Sequence, residues 1–333
     1  MGPFFPRQEC SFALNRNNSF SLSIALAAIL LLLACVAQAQ QGEVNIEPRL
    51  NPNPSPSAPF RVDVDLVLVP VSVTDAMNRP VTALQKQDFS LFEEEKPQEI
   101  RYFFEDEQPL SIAVLLDVSK SMIDKIDVER AALENFFNNA NPQDEYFAIT
   151  FSDRPRLIAS ATSNLEDIQR HLTLAEPGGP TAMLDAIYMA EDQLRTAKFK
   201  RRAIVIFSDG GDNVSHHSYK EIKGLVRERD VEVYAIGLFQ TAPFGTIEEK
   251  LGKMWLSQIT DCTGGRTVAI QNRMKVSEAA GAVSREIRSQ YVLGYRPAVR
   301  DGKWRKIKIR VASALAAPPL RVSYKQGYIS LEK

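Results

Sequence analysis

The chain has 333 residues, of which 44% are hydrophobic, so it is long enough to bury one large core or two smaller ones. Its 40 basic and 41 acidic residues leave a net charge of −1. This balance gives no reason to expect nucleic acid as a partner, because domains that bind nucleic acid present an excess of positive charge.

The first 39 residues have the pattern of a secretory signal peptide. Arg7 and Arg16 precede an apolar run at residues 22–34, and Ala37 and Ala39 form a small-x-small cleavage pattern. The apolar run is short for a membrane span. We therefore expect a signal peptide, residues 1–39, that is cut after Ala39.

Two other interpretations of this leader stay open. Residues 32–35, Leu-Leu-Ala-Cys, resemble the bacterial lipobox, which would leave Cys35 as a lipid-anchored first residue. An uncleaved anchor is the third interpretation. All three export the rest of the chain, which we expect in the periplasm, at the cell surface or in the medium, with no membrane span in the mature chain.

Residues 40–59 predict a disordered, proline-rich linker. They are polar and end in NPNPSPSAP, a composition that cannot bury enough apolar surface to fold.

Beyond the leader, Cys262 is the sole cysteine, so no intramolecular disulfide is expected in the mature chain.

Two β-rich segments flank a central region. The sequence predicts strands at 60–74, 89–92 and 99–104 on one side, with a charged turn at 93–98, and at 290–295, 305–311 and 320–324 on the other. Three strands are marginally stable by themselves. We therefore predict that 60–108 and 290–333 pair into one β-sandwich-like domain. The alternative is two separate sheets packed on the central domain.

Strand and helix patterns alternate in the central domain, residues 109–289. Apolar runs predict buried strands at 112–116, 148–151, 203–207 and 231–237, an edge strand at 155–161 and a last strand at 266–270. Helical spacing predicts helices at 125–139, 164–174, 182–198, 219–228, 248–259 and 277–289. This alternation indicates an α/β fold: a doubly wound, mostly parallel, Rossmann-like sheet between helices.

Oxygen-bearing side chains follow two of the buried strands. Asp117, Ser119 and Ser121 come after strand 112–116, and Asp209 comes after strand 203–207. Thr181 follows a glycine pair and precedes a helix. Because open α/β sheets bind ligands beyond the carboxyl ends of their strands, we expect all five side chains at one crevice. Carboxylate and hydroxyl oxygens suit a hard divalent cation, and octahedral coordination by oxygen favours Mg²⁺ or Mn²⁺.

These residues resemble a motif of the von Willebrand factor type A family, which includes the ligand-binding domain of integrins. The metal-ion-dependent adhesion site of that family reads D-x-S-x-S, then a loop Thr, then a loop Asp, and all five positions occur here in order. The resemblance covers roughly residues 109–290, and the flanks look like bacterial exported proteins that carry such a domain. It implies that Ser119, Ser121 and, with ligand bound, Thr181 contact the metal directly, and that Asp117 and Asp209 act through water.

The resemblance predicts an exported adhesion or interaction protein rather than an enzyme. Its metal would bind an Asp or Glu carboxylate of a protein partner. Two alternatives remain: a hydrolase in which the metal activates water, and a metal-free scaffold of an envelope complex. The sequence offers no well-placed general base for a hydrolase. Among the three histidines, only His216 and His217 could lie near the ion, and His171 could not. The two adjacent histidines are interpreted as surface residues.

Overall fold

The computed structural model describes residues 66–239, 247–270, 272–312 and 319–332. The predicted signal peptide, the predicted linker and residues 60–65 of the first predicted strand lie outside these ranges. Within them, no helix is both long and apolar enough to cross a membrane.

The strands and helices are named here in chain order. The strands are β1 Val67–Thr74, β2 Phe89–Glu93, β3 Lys96–Gln98, β4 Tyr102–Asp106, β5 Ser111–Asp117, β6 Glu145–Phe151, β7 Pro155–Thr162, β8 Arg202–Ser208, β9 Glu232–Gly237, β10 Thr267–Ala269, β11 Gln290–Tyr295, β12 Trp304–Val311, β13 Arg321–Tyr324 and β14 Gly327–Ile329. The α-helices are α1 Ile126–Phe137, α2 Leu165–Thr173, α3 Met183–Leu194, α4 Tyr219–Glu228, α5 Ile247–Thr263 and α6 Val276–Arg288.

Six of the described strands form the central sheet, in the order β10-β9-β8-β5-β6-β7. Neighbouring strands are parallel except β7, which runs antiparallel to β6 at one edge. The prediction of a mostly parallel α/β sheet is confirmed, and β7 is the edge strand expected at 155–161. Strand β5 is buried along its whole length, which explains its unbroken apolar sequence.

Side chains of β5 point alternately into two apolar layers. Ile112 and Val114 belong to the layer that also contains residues of α1, α2 and α6. Ala113 and Leu115 belong to the layer that contains residues of α3, α4 and α5. Because successive side chains of a strand face opposite sides of the sheet, helices can cover both faces while the strand ends stay at the rim. Asp117 ends β5 at that rim.

The other described strands form two antiparallel four-stranded sheets, ordered β13-β1-β11-β4 and β14-β12-β2-β3. Strands from both flanks pair with each other, since β1 pairs with β11 and β2 pairs with β12. One apolar cluster lies between the two sheets and contains Val69, Val71, Val73, Leu84, Phe89, Leu91, Ile100, Tyr291, Leu293, Tyr295, Ile307 and Ile309. Each sheet therefore contains strands from before and after the central domain.

The turn after β2 differs from its prediction. The sequence predicts a charged turn at 93–98, whereas the structure confines the turn to Glu94 and Glu95, with φ angles of 47° and 62°, and continues as strand β3. Positive φ at two successive residues is typical of a tight hairpin. Glu93 is buried and accepts hydrogen bonds from Tyr295 and Tyr328 at 2.6 and 2.9 Å. The glutamates thus have unequal environments that their sequence does not reveal.

Arg201, directly before β8, joins the central domain to the flanking sheets. Its guanidinium donates to the backbone oxygens of Asp106, Gln108 and Ile287 at 3.2, 3.0 and 2.7 Å. It also donates to Gln290 Oε1 at 3.1 Å. These acceptors lie on both chain connections between the flanking sheets and the central domain, so one side chain bridges both connections.

Candidate metal site

The five predicted residues lie at one edge of the central sheet. Asp117 ends β5, Asp209 follows β8, Ser119 and Ser121 lie between β5 and α1, and Thr181 lies before α3. Strands β5 and β8 are parallel neighbours, so their carboxyl ends meet. Ser121 is exposed and the other four residues are buried. The cluster therefore reaches solvent at Ser121.

Short distances join the oxygen atoms of the cluster. Ser119 Oγ lies 3.0 Å from Ser121 Oγ, and the Ser119 N–H donates to Asp117 Oδ1 at 3.0 Å. Thr181 Oγ1 and Asp209 Oδ1 each lie 3.6 Å from the point that a Cβ on residue 211 would occupy. The hydroxyl and carboxylate oxygens thus converge from three loops.

Asp117 is fully buried and lies close to a second carboxylate. Burial, and then the negative charge of Asp209, raise the pKa of Asp117 to about 7, although hydrogen bonds from Ser119 and Ser208 oppose this. Ser208 Oγ donates to Asp117 Oδ2 at 2.5 Å. Ser208 was not predicted, and its only signal in the sequence is its position directly before Asp209. Two neighbouring buried carboxylates favour a positive charge at this place.

Lys125 places an ammonium group against this pair. Its Nζ donates to Asp209 Oδ2 at 2.6 Å, and the two side chains are 5% and 0% exposed. One helical turn later, Glu129 Oε1 accepts the Asp117 N–H at 3.1 Å, whereas Glu129 Oε2 is buried without a hydrogen-bond partner among the described residues. Burial, and then the Asp117 charge, raise the pKa of Glu129 well above its usual range. The sequence gives no sign of either role, because Lys125 and Glu129 have the pattern of an ordinary helix start.

Hydrogen bonds hold the loops of the cluster together. The Lys120 N–H donates to the Gly179 carbonyl at 2.9 Å. The Asn213 N–H donates to the Thr181 carbonyl at 3.0 Å, and Asn213 Oδ1 accepts the Thr181 N–H at 2.9 Å. Thr181 is therefore fixed from both its amide and its carbonyl, which orients its hydroxyl.

Asp185 organises the loop that follows Asp209. It accepts the backbone N–H groups of His216 and His217 at 3.0 Å and contacts their Nδ1 atoms at 2.9 and 2.8 Å. Burial raises the pKa of Asp185, but these hydrogen bonds together lower it more, to about 2. The His217 ring stacks on Tyr188 with centroids 4.0 Å apart. Both imidazoles thus have structural partners.

Helix α5 packs directly on the loop after Asp209. Gly210 has a φ of +85°, and a Cβ on Gly252 would collide with the Gly210 carbonyl oxygen. Glycine at position 252 permits this close approach of two backbones. A Cβ on Gly210 would lie 3.0 Å from the Phe239 ring and 3.1 Å from the Lys253 backbone nitrogen of the helix. The loop is therefore packed closely against both the helix and the aromatic ring.

The donor set fits a hard divalent cation. Two carboxylates and three hydroxyls offer oxygen only, which suits Mg²⁺ or Mn²⁺. Within the described ranges, no group of three or more His, Cys, Asp or Glu side chains is arranged to hold a metal. A cation at this edge of the sheet would therefore depend on the serine and threonine hydroxyls.

A family model for the von Willebrand factor type A domain matches residues 112–211, under one third of the chain. The match includes all five residues of the cluster. A von Willebrand factor type A domain is therefore found within the α/β part of the chain. No match was found among curated proteins.

Several solved structures are similar to the chain at low sequence identity. An aerotolerance-related membrane protein from Bacteroides fragilis is 19% identical over 54% of this chain and 98% of its own, with a TM-score of 0.43. A von Willebrand factor type A protein from Catenulispora acidiphila is 10% identical over 74% of this chain and 76% of its own, with a TM-score of 0.46. Proximal thread matrix protein 1 from the mussel byssus, whose adhesion-site motif is occupied by zinc, is 20% identical over 59% of this chain and 49% of its own, with a TM-score of 0.46.

Proposed function

We propose that this chain is an exported interaction protein that binds an acidic group of a protein partner through Mg²⁺ or Mn²⁺. The residues that would hold the cation are Asp117, Ser119, Ser121, Thr181 and Asp209. The observation that carries the proposal is the pair of fully buried carboxylates, Asp117 and Asp209, beside three hydroxyl groups at the open edge of the sheet. Such a pair is costly without a cation and favourable with one.

The carboxylates and the hydroxyls of the cluster would have different roles toward a bound cation. Asp117 and Asp209 supply the negative charge, and both are already oriented by hydrogen bonds from neighbouring groups. Ser119, Ser121 and Thr181 supply neutral oxygens, which leave a cation electron-poor. A bound Mg²⁺ or Mn²⁺ would offer a coordination position to a carboxylate oxygen, and the opposite charges would attract. Exposed Ser121 marks the side from which a partner would approach.

We also propose that the chain acts outside the cytoplasm and is not an enzyme. Export follows from the predicted leader at residues 1–39. A role other than hydrolysis is supported by the histidines, because His216 and His217 bond to Asp185 and the ring of His171 bonds to the Asp167 carbonyl at 2.7 Å. A metal-free scaffold is the competing function that one observation favours, since Lys125 already neutralises Asp209.

Calorimetric titration of the full chain with MgCl₂ and MnCl₂ tests the proposal. We expect binding by the native chain, and weakening of about 10–100-fold in Asp117→Asn, the size typical for residues that orient a metal from behind its direct ligands. Asp127→Asn is the matched control, because the Asp127 side chain is 91% exposed on α1 and its loss should leave affinity unchanged.

Partner capture from envelope extracts then separates the functions. A protein retained in Mg²⁺, and released both by EDTA and by Asp117→Asn, would support binding through the cation. Capture that ignores EDTA would support the scaffold instead. Equal cation affinity of the native chain and Asp117→Asn would refute the proposed site.

A further inference from the structure

Lys125 occupies a place where a lysine ammonium group is costly. It is the residue before α1, its side chain is 5% exposed, and the backbone dipoles at the start of a helix repel a positive charge. Burial of an unpaired ammonium adds a further cost. A negative charge beside Lys125 offsets these costs.

That negative charge is a residue of the proposed cation site. Lys125 Nζ and Asp209 Oδ2 are 2.6 Å apart and both side chains are buried. Asp117 and Glu129 add two further buried acidic side chains to the same region. Whatever the protonation of Glu129, Lys125 makes the region more positive by one charge.

From this geometry we infer that Lys125 is the resident counter-ion of the site and opposes the divalent cation. The inference rests on the proposed function and deepens it. The ammonium group neutralises Asp209 when no cation is bound, so the domain stays folded without metal. The same charge repels an incoming cation, so the affinity for Mg²⁺ or Mn²⁺ is weaker than the oxygen donors alone would produce.

Two variants of Lys125 and one control test the inference in the full chain. Lys125→Met removes the charge and keeps the apolar stem, and Lys125→Gln keeps a hydrogen-bond donor for Asp209. Lys120→Met is the matched control, because it removes the same charge from the same loop at an exposed position. For each, the urea midpoint in EDTA and the Mn²⁺ affinity by calorimetry are measured.

We expect opposite changes in the two measurements. The Lys125 variants should unfold at lower urea in EDTA, and they should bind Mn²⁺ at least about ten-fold more tightly than the native chain, because a repulsive buried charge is gone. Mn²⁺ should restore their stability. Lys120→Met should change Mn²⁺ affinity by less than about three-fold, since solvent screens an exposed charge.

Several results would overturn the inference. These are affinity and stability changes no larger than those of Lys120→Met, loss of Mn²⁺ binding in both folded Lys125 variants, or failure of both to fold even in saturating Mn²⁺. Absence of Mn²⁺ binding by the native chain would instead refute the proposed function. In that case the urea midpoint in EDTA still decides the inference. A lower midpoint for the Lys125 variants than for the native chain supports the counter-ion, and an unchanged midpoint refutes it.

Discussion

Glu191 makes the stability of the domain depend on pH. It lies in α3, the residue is 4% exposed, and its Oε1 has no hydrogen-bond partner among the described residues. Burial raises the pKa of Glu191 from 4.5 to about 7, although the positive charges of Arg229 and Arg202 oppose this. The folded chain therefore holds a proton at pH 6 that the unfolded chain has already released.

The sign and size of the effect follow from this difference. Between pH 4.5 and about 7 the folded state binds more protons than the unfolded state, so the free energy of unfolding falls as the pH rises. At about 1.4 kcal/mol for each pH unit, the loss across this window reaches about 3 kcal/mol. The contribution is complete below pH 4.5 and is gone above about pH 7.

Glu191→Gln replaces the carboxyl group with a neutral group of the same shape. We expect native chain and variant to have similar free energies of unfolding at pH 5, and the variant to be more stable by up to about 3 kcal/mol at pH 8. Urea unfolding in EDTA at several pH values measures this, since titration elsewhere cancels in the difference. Glu228→Gln, at an exposed position in α4, is the control. A difference between native chain and Glu191→Gln that stays constant with pH would show that the reasoning is wrong.

Two further predictions concern the junction and the loop of the site. Arg201→Met should lower the free energy of unfolding by about 3–4 kcal/mol in urea, because several carbonyls lose a charged donor, whereas Arg202→Met, which loses one bond to a carbonyl, should cost about 1 kcal/mol or less. Equal losses of unfolding free energy in the two variants would contradict the bridging role of Arg201. Gly252→Ala should cost more than about 2 kcal/mol and weaken Mn²⁺ binding, because its Cβ would collide with Gly210, whereas Gly224→Ala, with open space around it, should be neutral or stabilising. Unfolding midpoints and calorimetry measure both, and a harmless Gly252→Ala would contradict the packing described.

Much of the fold could be predicted because the central strands are covered on both faces. Burial on both sides demands an uninterrupted apolar run, which is visible in one dimension, as in β5. The strand ends were visible too, because polar residues such as Asp117 and Asp209 stop those runs. Thr181 was predicted from its glycine pair and from the family motif. The metal-binding role of these residues stays a prediction.

The tertiary structure alone decided what surrounds the five residues. Lys125 and Glu129 read as ordinary helix residues, and only the packing of α1 beside the ends of β5 and β8 brings them to Asp209 and Asp117. Likewise the approach of Gly252 to the loop after Asp209 joins residues more than forty positions apart. Sequence patterns report burial and local conformation, whereas the partner of a buried charge depends on distances that exist only after the chain has folded.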